Sequence, residues 1–78
     1  MSLKAFVEYC ARHLVDHPDG VHVDEDQSGQ TTVLTLRVQP GDLGKVIGRE
    51  GKTANAMRTL LTAAATARGE RAILEIAD

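Results

Sequence analysis

Lys45-Val46-Ile47-Gly48-Arg49-Glu50-Gly51-Lys52-Thr53 is the stretch on which the reading of this 78-residue chain turns. An apolar pair runs into two glycines that bracket a charged pair. The segment that follows, Lys52 to Ala67, has no proline or glycine and contains six alanines. This pattern predicts a loop that opens a helix of about 24 Å. The glycines bring bare backbone, and the helix start brings orphan N–H groups, to one exposed point. Such a point suits an anion, of which phosphate is the simplest. The same glycines would serve a turn that only changes the chain's direction, and the loop alone leaves both readings open.

Upstream of the loop, Pro40-Gly41 ends a strand, and Asp42 is placed to cap a short helix from Leu43 to Ile47. Gly44 inside that helix costs roughly 1 kcal/mol relative to alanine, so packing by Leu43, Val46 and Ile47 has to hold it. A small residue there would let a strand, a neighbouring helix or a ligand backbone come close. Thr31 to Val38 is rich in β-branched side chains, with Leu34, Leu36 and Val38 on one face and Val33, Thr35 and Arg37 on the other. Val21 to Asp24 alternates as a short strand, and Asp26 to Gln30 supplies a turn, so the two strands pair as an antiparallel hairpin.

Leu3, Phe6, Val7, Cys10 and Leu14 form the stripe of an amphipathic helix over residues 3–15, capped by Ser2 and ended by Pro18 and Gly20. Cys10, His13 and His17 stand at helical spacing, but Pro18 disfavours helix at His17 and no fourth metal ligand is indicated. Cys10 reads instead as a small hydrophobe, and no metal or cofactor is expected. After the loop, the long helix turns Ala54, Met57, Leu60, Leu61, Ala64 and Ala65 to one side, and Gly69 stops it. Arg71 to Ile76 is a closing strand with Ala72, Leu74 and Ile76 on one face. The order is helix, strand, strand, short helix, loop, long helix, strand. The last strand can return parallel to a hairpin strand, giving an α+β fold with a three-stranded mixed sheet and all helices on one side.

Composition narrows the function. A chain of 78 residues holds one domain, 1–78, with little room for a buried reaction site. With one Phe, one Tyr and no Trp, aromatic stacking on bases is hardly available. The net charge of -2 argues against binding by bulk electrostatics. Its distribution is uneven. Residues 1–30 carry two basic and six acidic side chains, whereas residues 31–78 carry seven and five. Around the loop, Lys45, Arg49, Lys52 and Arg58 face only Glu50. A single cysteine excludes an internal disulfide, and no stretch reaches membrane-spanning length, so a cytoplasmic protein is expected.

Gly51-Lys52-Thr53 fits the end of a nucleotide-hydrolase phosphate loop, but Val46 stands where its first glycine belongs, and the dinucleotide fingerprint is absent. Glu50 and Thr53 sit on a solvent-facing loop with no means of shifting a pKa, so no enzyme is expected. Single-stranded nucleic-acid binding uses the whole motif. Gly48 and Gly51 admit the sugar-phosphate backbone, the helix N-terminus points positive charge at a phosphate, and Arg49 and Lys52 reach phosphates directly. Bases would lie over an apolar groove floored by Ile47, and with no aromatic there no base-specific contact is expected.

Val46-Ile47-Gly48-Arg49-Glu50-Gly51 resembles the I-G-x-x-G signature of the K-homology (KH) domain, an RNA-binding fold whose loop clamps four nucleotides. The order of elements is similar to the type II topology. The run from Val38 to Ala54, then Met57 to Leu61 and the final strand, resembles the small bacterial single-domain K-homology proteins. The resemblance implies an RNA chaperone or post-transcriptional regulator, linked to cell elongation, division and wall synthesis. It implies self-association as a homodimer and pairing with a larger protein that carries another K-homology domain. It assigns phosphate contact to Gly48, Arg49, Glu50 and Gly51, and groove roles to Val46, Ile47 and Ala54, beside Lys45, Lys52 and Thr53. Lys45-Val46-Ile47 and an exposed strand edge are equal candidates for the dimer surface. From another class, a dimerisation or protein-interaction module is the alternative, favoured by the acidic first third and Glu50.

Overall fold

The computed structural model describes residues 1–77, so that Asp78, the last residue of the expected domain, lies outside the described residues. Three α-helices and three strands follow in the expected order, with short 3-10 turns at Pro18–Gly20, Pro40–Asp42 and Arg49–Gly51. Helix α1 spans Leu3–Leu14, one residue short of the expected end, and the Ser2 hydroxyl accepts from Ala5 N–H at 3.0 Å. Its deepest side chains are Leu3, Val7 and Ala11, while Phe6 and Cys10 pack at the margin of the core. Cys10 is thus a half-buried hydrophobe, and burial pushes its thiol pKa up.

Strand β1, His22–Ser28, is longer than the Val21 to Asp24 expected. By polarity, Asp26, Gln27 and Ser28 are expected in a turn. They instead pair with Val33, Thr32 and Thr31, leaving Gly29-Gln30 as a two-residue connection. Gly29 has φ 62°, the first-position geometry that a tight hairpin asks of glycine. β1 is an edge strand on which only Val23 is buried, so its polar side chains cost nothing in water. The β-branched ladder of strand β2, Thr31–Arg37, supplies the pairing.

The sheet order is β1-β2-β3, with β1 antiparallel and strand β3, Arg71–Ile76, parallel to β2. The mixed sheet is therefore the expected one. Thr32, Leu34 and Leu36 point into the core beside Val23 and Leu74. Helix α3, Lys52–Ala67, lays Ala54, Met57, Leu61 and Ala65 onto this layer. Leu60, expected on the same side, is 55% exposed because it falls on the flank of that three-four repeat. Helix α2, Leu43–Ile47, is anchored by Val46, which is fully buried. Fully burying a valine is worth about 1.5–3 kcal/mol, enough to outweigh the propensity cost of Gly44. A Cβ at Gly44 would meet nothing within 4 Å, so no neighbour in the fold requires a glycine there.

Asp42 departs most from its expected role. It stands at the start of α2, but its side chain caps no helix N–H. The carboxylate is buried at 1% exposure and turns toward the chain after α1. There Oδ1 accepts from Asp16 N–H at 3.3 Å, and Oδ2 accepts from His17 N–H at 3.0 Å and from His17 Nδ1 at 3.1 Å. A carboxylate can only accept, so Nδ1 carries the proton in this pair. Lys45 Nζ completes the seam, 3.0 Å from Asp16 Oδ2 and 3.9 Å from Asp42 Oδ1. Burial pulls the Asp42 pKa upward, but the hydrogen bonds from His17 and the backbone outweigh it and leave the pKa below the usual carboxylate value. Asp16 in turn raises the pKa of Lys45. His17 lies beyond α1 with its ring on Asp42, and His13 Nδ1 is 2.8 Å from Tyr9 O, so neither joins Cys10 in a ligand set.

Candidate nucleic-acid interface

The end of α2 and the start of α3 meet in the turn Gly48 to Gly51, and three of its four residues have positive φ. Gly48 adopts φ 76°, ψ 173°, Glu50 φ 57°, ψ 26°, and Gly51 φ 76°, ψ 11°. Glu50 is the one non-glycine residue with positive φ among the described residues. An L-residue in this left-handed region costs about 1–2 kcal/mol.

The two glycines are required for different reasons. A Cβ on Gly48 would lie 2.2 Å from Thr53 Oγ1 and 2.8 Å from Thr53 N, an overlap that backbone as well as side chain resists. A Cβ on Gly51 would meet nothing nearer than Asn55 Nδ2 at 3.9 Å, so that position asks for glycine through its φ alone. The turn is held by Gly48 N–H donating to Gly44 O at 2.9 Å and Gly51 N–H donating to Gly48 O at 3.2 Å. Gly51 precedes α3 and offers no side-chain acceptor to its first turn. Gly51 N–H and Lys52 N–H are engaged within the turn, on Gly48 O and Arg49 O, so what the site offers an oxyanion is the positive end of the sixteen-residue helix and the exposed cations beside it.

The structure sorts the expected site side chains into four groups. Arg49, Glu50 and Lys52 are exposed on the loop, with Ile47 beside them at 37% exposure. Val46 and Ala54 are buried at 0% and 3%, so their side chains belong to the core beneath the turn. Thr53 is half-buried over Gly48, where it fixes the turn. Lys45 belongs to the other side of α2, engaged with Asp16 and Asp42. Among the described residues, no carboxylate lies within ion-pair distance of Arg49, Lys52 or Arg58, whereas Arg12 and Arg37 each have one and Lys45 has two.

Arg58 adds a feature that the sequence reading counted only as charge. From α3 it donates Nε–H to Leu74 O of β3 at 3.3 Å and an NH1 hydrogen to Asn55 Oδ1 at 3.3 Å. The edge strand is thereby tied to the helix that the loop launches. Between them runs an open hollow of 210 Å³ lined by Arg58, Thr62, Ile73 and Leu74. Among the described residues, no group of three or more His, Cys, Asp or Glu side chains is arranged to hold a metal ion, and no helix is long and apolar enough to cross a membrane.

Comparison with known proteins agrees with this geometry. Residues 4–76 match the model of the KhpA/KhpB KH domain. The chain is 48% identical over 77 residues to the RNA-binding protein KhpA of Aquifex aeolicus, covering 99% of this chain and 98% of that protein. It is 47% identical over 76 residues to the RNA-binding protein KhpA of Halalkalibacterium halodurans, covering 97% of this chain and all of that one. Among solved structures, Aquifex aeolicus Era bound to GDP.AlF4- superposes with a TM-score of 0.65 at 15% identity. That match covers 95% of this chain but only 29% of Era, and at such identity it speaks for the fold alone. With the type II order of elements, the glycine turn and near full-length relatives all in agreement, this chain belongs to the KhpA/KhpB family of KH-domain proteins.

Proposed function

We propose that this protein binds single-stranded RNA, with the Gly48 to Gly51 turn as the clamp on its phosphates. The observation that carries the reading is the pairing of a strained, positive-φ turn with two cations, Arg49 and Lys52, that have no carboxylate partner among the described residues. Relatives over almost the whole length are named RNA-binding proteins, which supports the same ligand. Gly48, Glu50 and Gly51 meet the phosphates with their backbone and Arg49 and Lys52 with their side chains, Ile47 supplies apolar floor, and Val46, Thr53 and Ala54 hold the surface from beneath. Lys45 braces α2 through Asp16 and Asp42. The chain acts as a single KH domain, residues 1–78, with no catalytic step.

By its family likeness it serves in the cytoplasm as an RNA chaperone or post-transcriptional regulator tied to cell elongation, division and wall synthesis. It works as a homodimer and alongside a larger protein with a KH domain of its own. Two loops held near each other in a dimer would raise avidity without any new contact.

The test is fluorescence anisotropy with short labelled single-stranded RNAs at two salt concentrations, comparing the native chain with Arg49→Asp combined with Glu50→Asp. Two cationic contacts give a log-log salt slope of roughly -1.4 for a single strand. The double substitution keeps both glycines and the fold, and is expected to abolish salt-sensitive binding while circular dichroism stays unchanged. Equal binding by both proteins would remove the loop from the function. Absence of RNA binding in both would favour an interaction module that works through protein surfaces.

A further inference from the structure

We propose that the free edge of β1, with the hollow between it and α1, is a docking site for an extended peptide segment of a partner protein in which cationic and apolar side chains alternate. This edge is the far side of the sheet from β3, and its use does not depend on RNA binding at the glycine turn.

The backbone hydrogen bonds leave this edge open. Gln30 O and Leu36 O accept from Arg71 and Ala77 N–H, so the even residues of β2 bond to β3 and the odd ones to β1. The β1 partners of those odd residues are His22, Asp24, Asp26 and Ser28. Val23, Glu25 and Gln27 therefore turn their N–H and C=O groups away from the sheet in one row, and among the described residues no other backbone group takes them up. On the opposite edge, by contrast, Arg58 already occupies Leu74 O. Glu25 and Gln27 are exposed, and Val23 lines a hollow of 440 Å³ that Lys4, Glu8 and Arg12 line from one face of α1. A second hollow of 130 Å³ continues past Glu25 and Gln27. An open strand edge beside a helix, with a channel between them, is the geometry in which a peptide adds as a further strand.

Charge decides what the added strand is. Asp24, Glu25 and Asp26 are consecutive on β1. If two copies paired antiparallel about Glu25, Glu25 would meet Glu25 and Asp24 would meet Asp26, and like charges directly opposite one another are destabilising. A second copy of this edge is therefore the wrong occupant, and an RNA backbone is repelled by the same row. Asp24 and Asp26 lie on the face of the sheet opposite the core, since Val23 between them in period points inward. Asp24 holds Arg37, whereas Asp26 has no cation within ion-pair distance among the described residues. Residues of the added strand on that face meet carboxylates, which suits lysine or arginine. Those on the helix side lie over Val21 and Val23 and beside Lys4 and Arg12, which suits uncharged apolar side chains. From Lys4 to Arg12 the helix runs about 12 Å, the length of roughly four extended residues, so a short segment fills the channel.

The experiment titrates the native chain with a labelled, end-blocked peptide of alternating lysine and valine, with the same peptide N-methylated at its valines, and with a glutamate-valine counterpart. N-methylation keeps every charge and removes the N–H groups that would pair with β1. The native chain is expected to bind the unmodified peptide about tenfold more tightly than the methylated one, since several backbone hydrogen bonds are lost together. The glutamate peptide should not bind. At saturation, amide hydrogen exchange at Glu25 and Gln27 should slow about tenfold as the two groups enter a ladder, with no change from Gly48 to Lys52. Gln27→Pro removes one outward N–H at a position where an edge strand tolerates proline, and should weaken the peptide about fivefold, the worth of one hydrogen bond. Asp26→Asn, which keeps the backbone intact, should weaken it about twofold at low salt while preserving the discrimination against N-methylation. Equal binding of the methylated and unmodified peptides would mean adsorption by charge alone and overturns the proposal. Protection that falls on β3 or the glycine turn instead of β1 overturns it, and so does absence of binding by the unmodified peptide.

Discussion

The two ends of α2 hold their charges in opposite ways. At its start, the Asp42 carboxylate is buried and accepts from two backbone N–H groups and the His17 ring, with Lys45 close by. At its end, Arg49 and Lys52 stand exposed on either side of Glu50 and its strained backbone, with no carboxylate within ion-pair distance among the described residues. A buried carboxylate keeps its charge only if its hydrogen bonds are complete, and completeness leaves it nothing to offer a ligand. An exposed cation left unmatched keeps its whole interaction for something else. The five-residue helix therefore has a closed end that fixes it to the body and an open end that it presents. Four substitutions test that division.

Gly48→Ala should have the largest effect. The left-handed backbone costs about 1–3 kcal/mol for any side chain, and overlap with Thr53 Oγ1 at 2.2 Å and Thr53 N at 2.8 Å adds to it. In a domain of this size each kcal/mol lowers the melting temperature by about 4–8 °C. Thermal melting should show a loss of that order or more, and RNA affinity should fall with it because the turn must move to relieve the overlap. A variant that melts with the native chain would mean that the turn is not held as described.

Asp42→Asn comes next, and it separates the closed end from the open one. The folded-state pKa of Asp42 lies below its unfolded value of about 3.9, so its contribution to stability is present above that value and is lost as pH falls through the folded pKa. Melting curves of the two proteins should differ most near neutral pH and converge below about pH 3.9. RNA binding by the folded variant at neutral pH should weaken only slightly, because no Asp42 atom faces the loop. A difference in stability that persists unchanged into acid would show that the missing charge is not the cause.

The same contrast explains what could be read in the sequence. The glycine spacing announces the open end because backbone conformation is local, and the alternation of β2 announces the core because side-chain period is local. The closed end depends on contacts across 25 residues, between Asp42 and His17, and no periodicity reports them. An Asp just before a helix reads as a cap, whereas the Asp42 carboxylate turns to the chain after α1. The length of β1 is hidden for a related cause. Asp26, Gln27 and Ser28 are turn-forming types, and only pairing with β2 makes them a strand. Arg58 counted as one charge among four, since its hold on Leu74 O exists only once β3 has folded back beside α3.

Gly51→Ala should be milder than Gly48→Ala. Its Cβ meets nothing closer than 3.9 Å, so the cost is the left-handed conformation alone, about 1–2 kcal/mol. Comparing the two alanine variants by melting therefore divides the requirement for glycine into conformation and space. Equal losses would mean that Thr53 yields to the added methyl group and that space does not matter.

Glu50→Asn is expected to have the smallest effect and to move binding and stability in the same direction. Glu50 holds φ 57° without the freedom of glycine, and asparagine enters this region more readily than glutamate, so the folded state should gain less than about 1 kcal/mol. The substitution also removes the one acidic side chain between Arg49 and Lys52. Two unit charges a few ångströms apart in water interact by about 1 kcal/mol, so RNA affinity at low salt should rise by roughly two- to fivefold. That gain should disappear near 1 M salt, where screening acts within about 3 Å. The stability gain, being conformational, should survive the same salt. If affinity instead falls while melting is unchanged, Glu50 contributes a contact of its own to the ligand, and the open end of α2 reads more than phosphate.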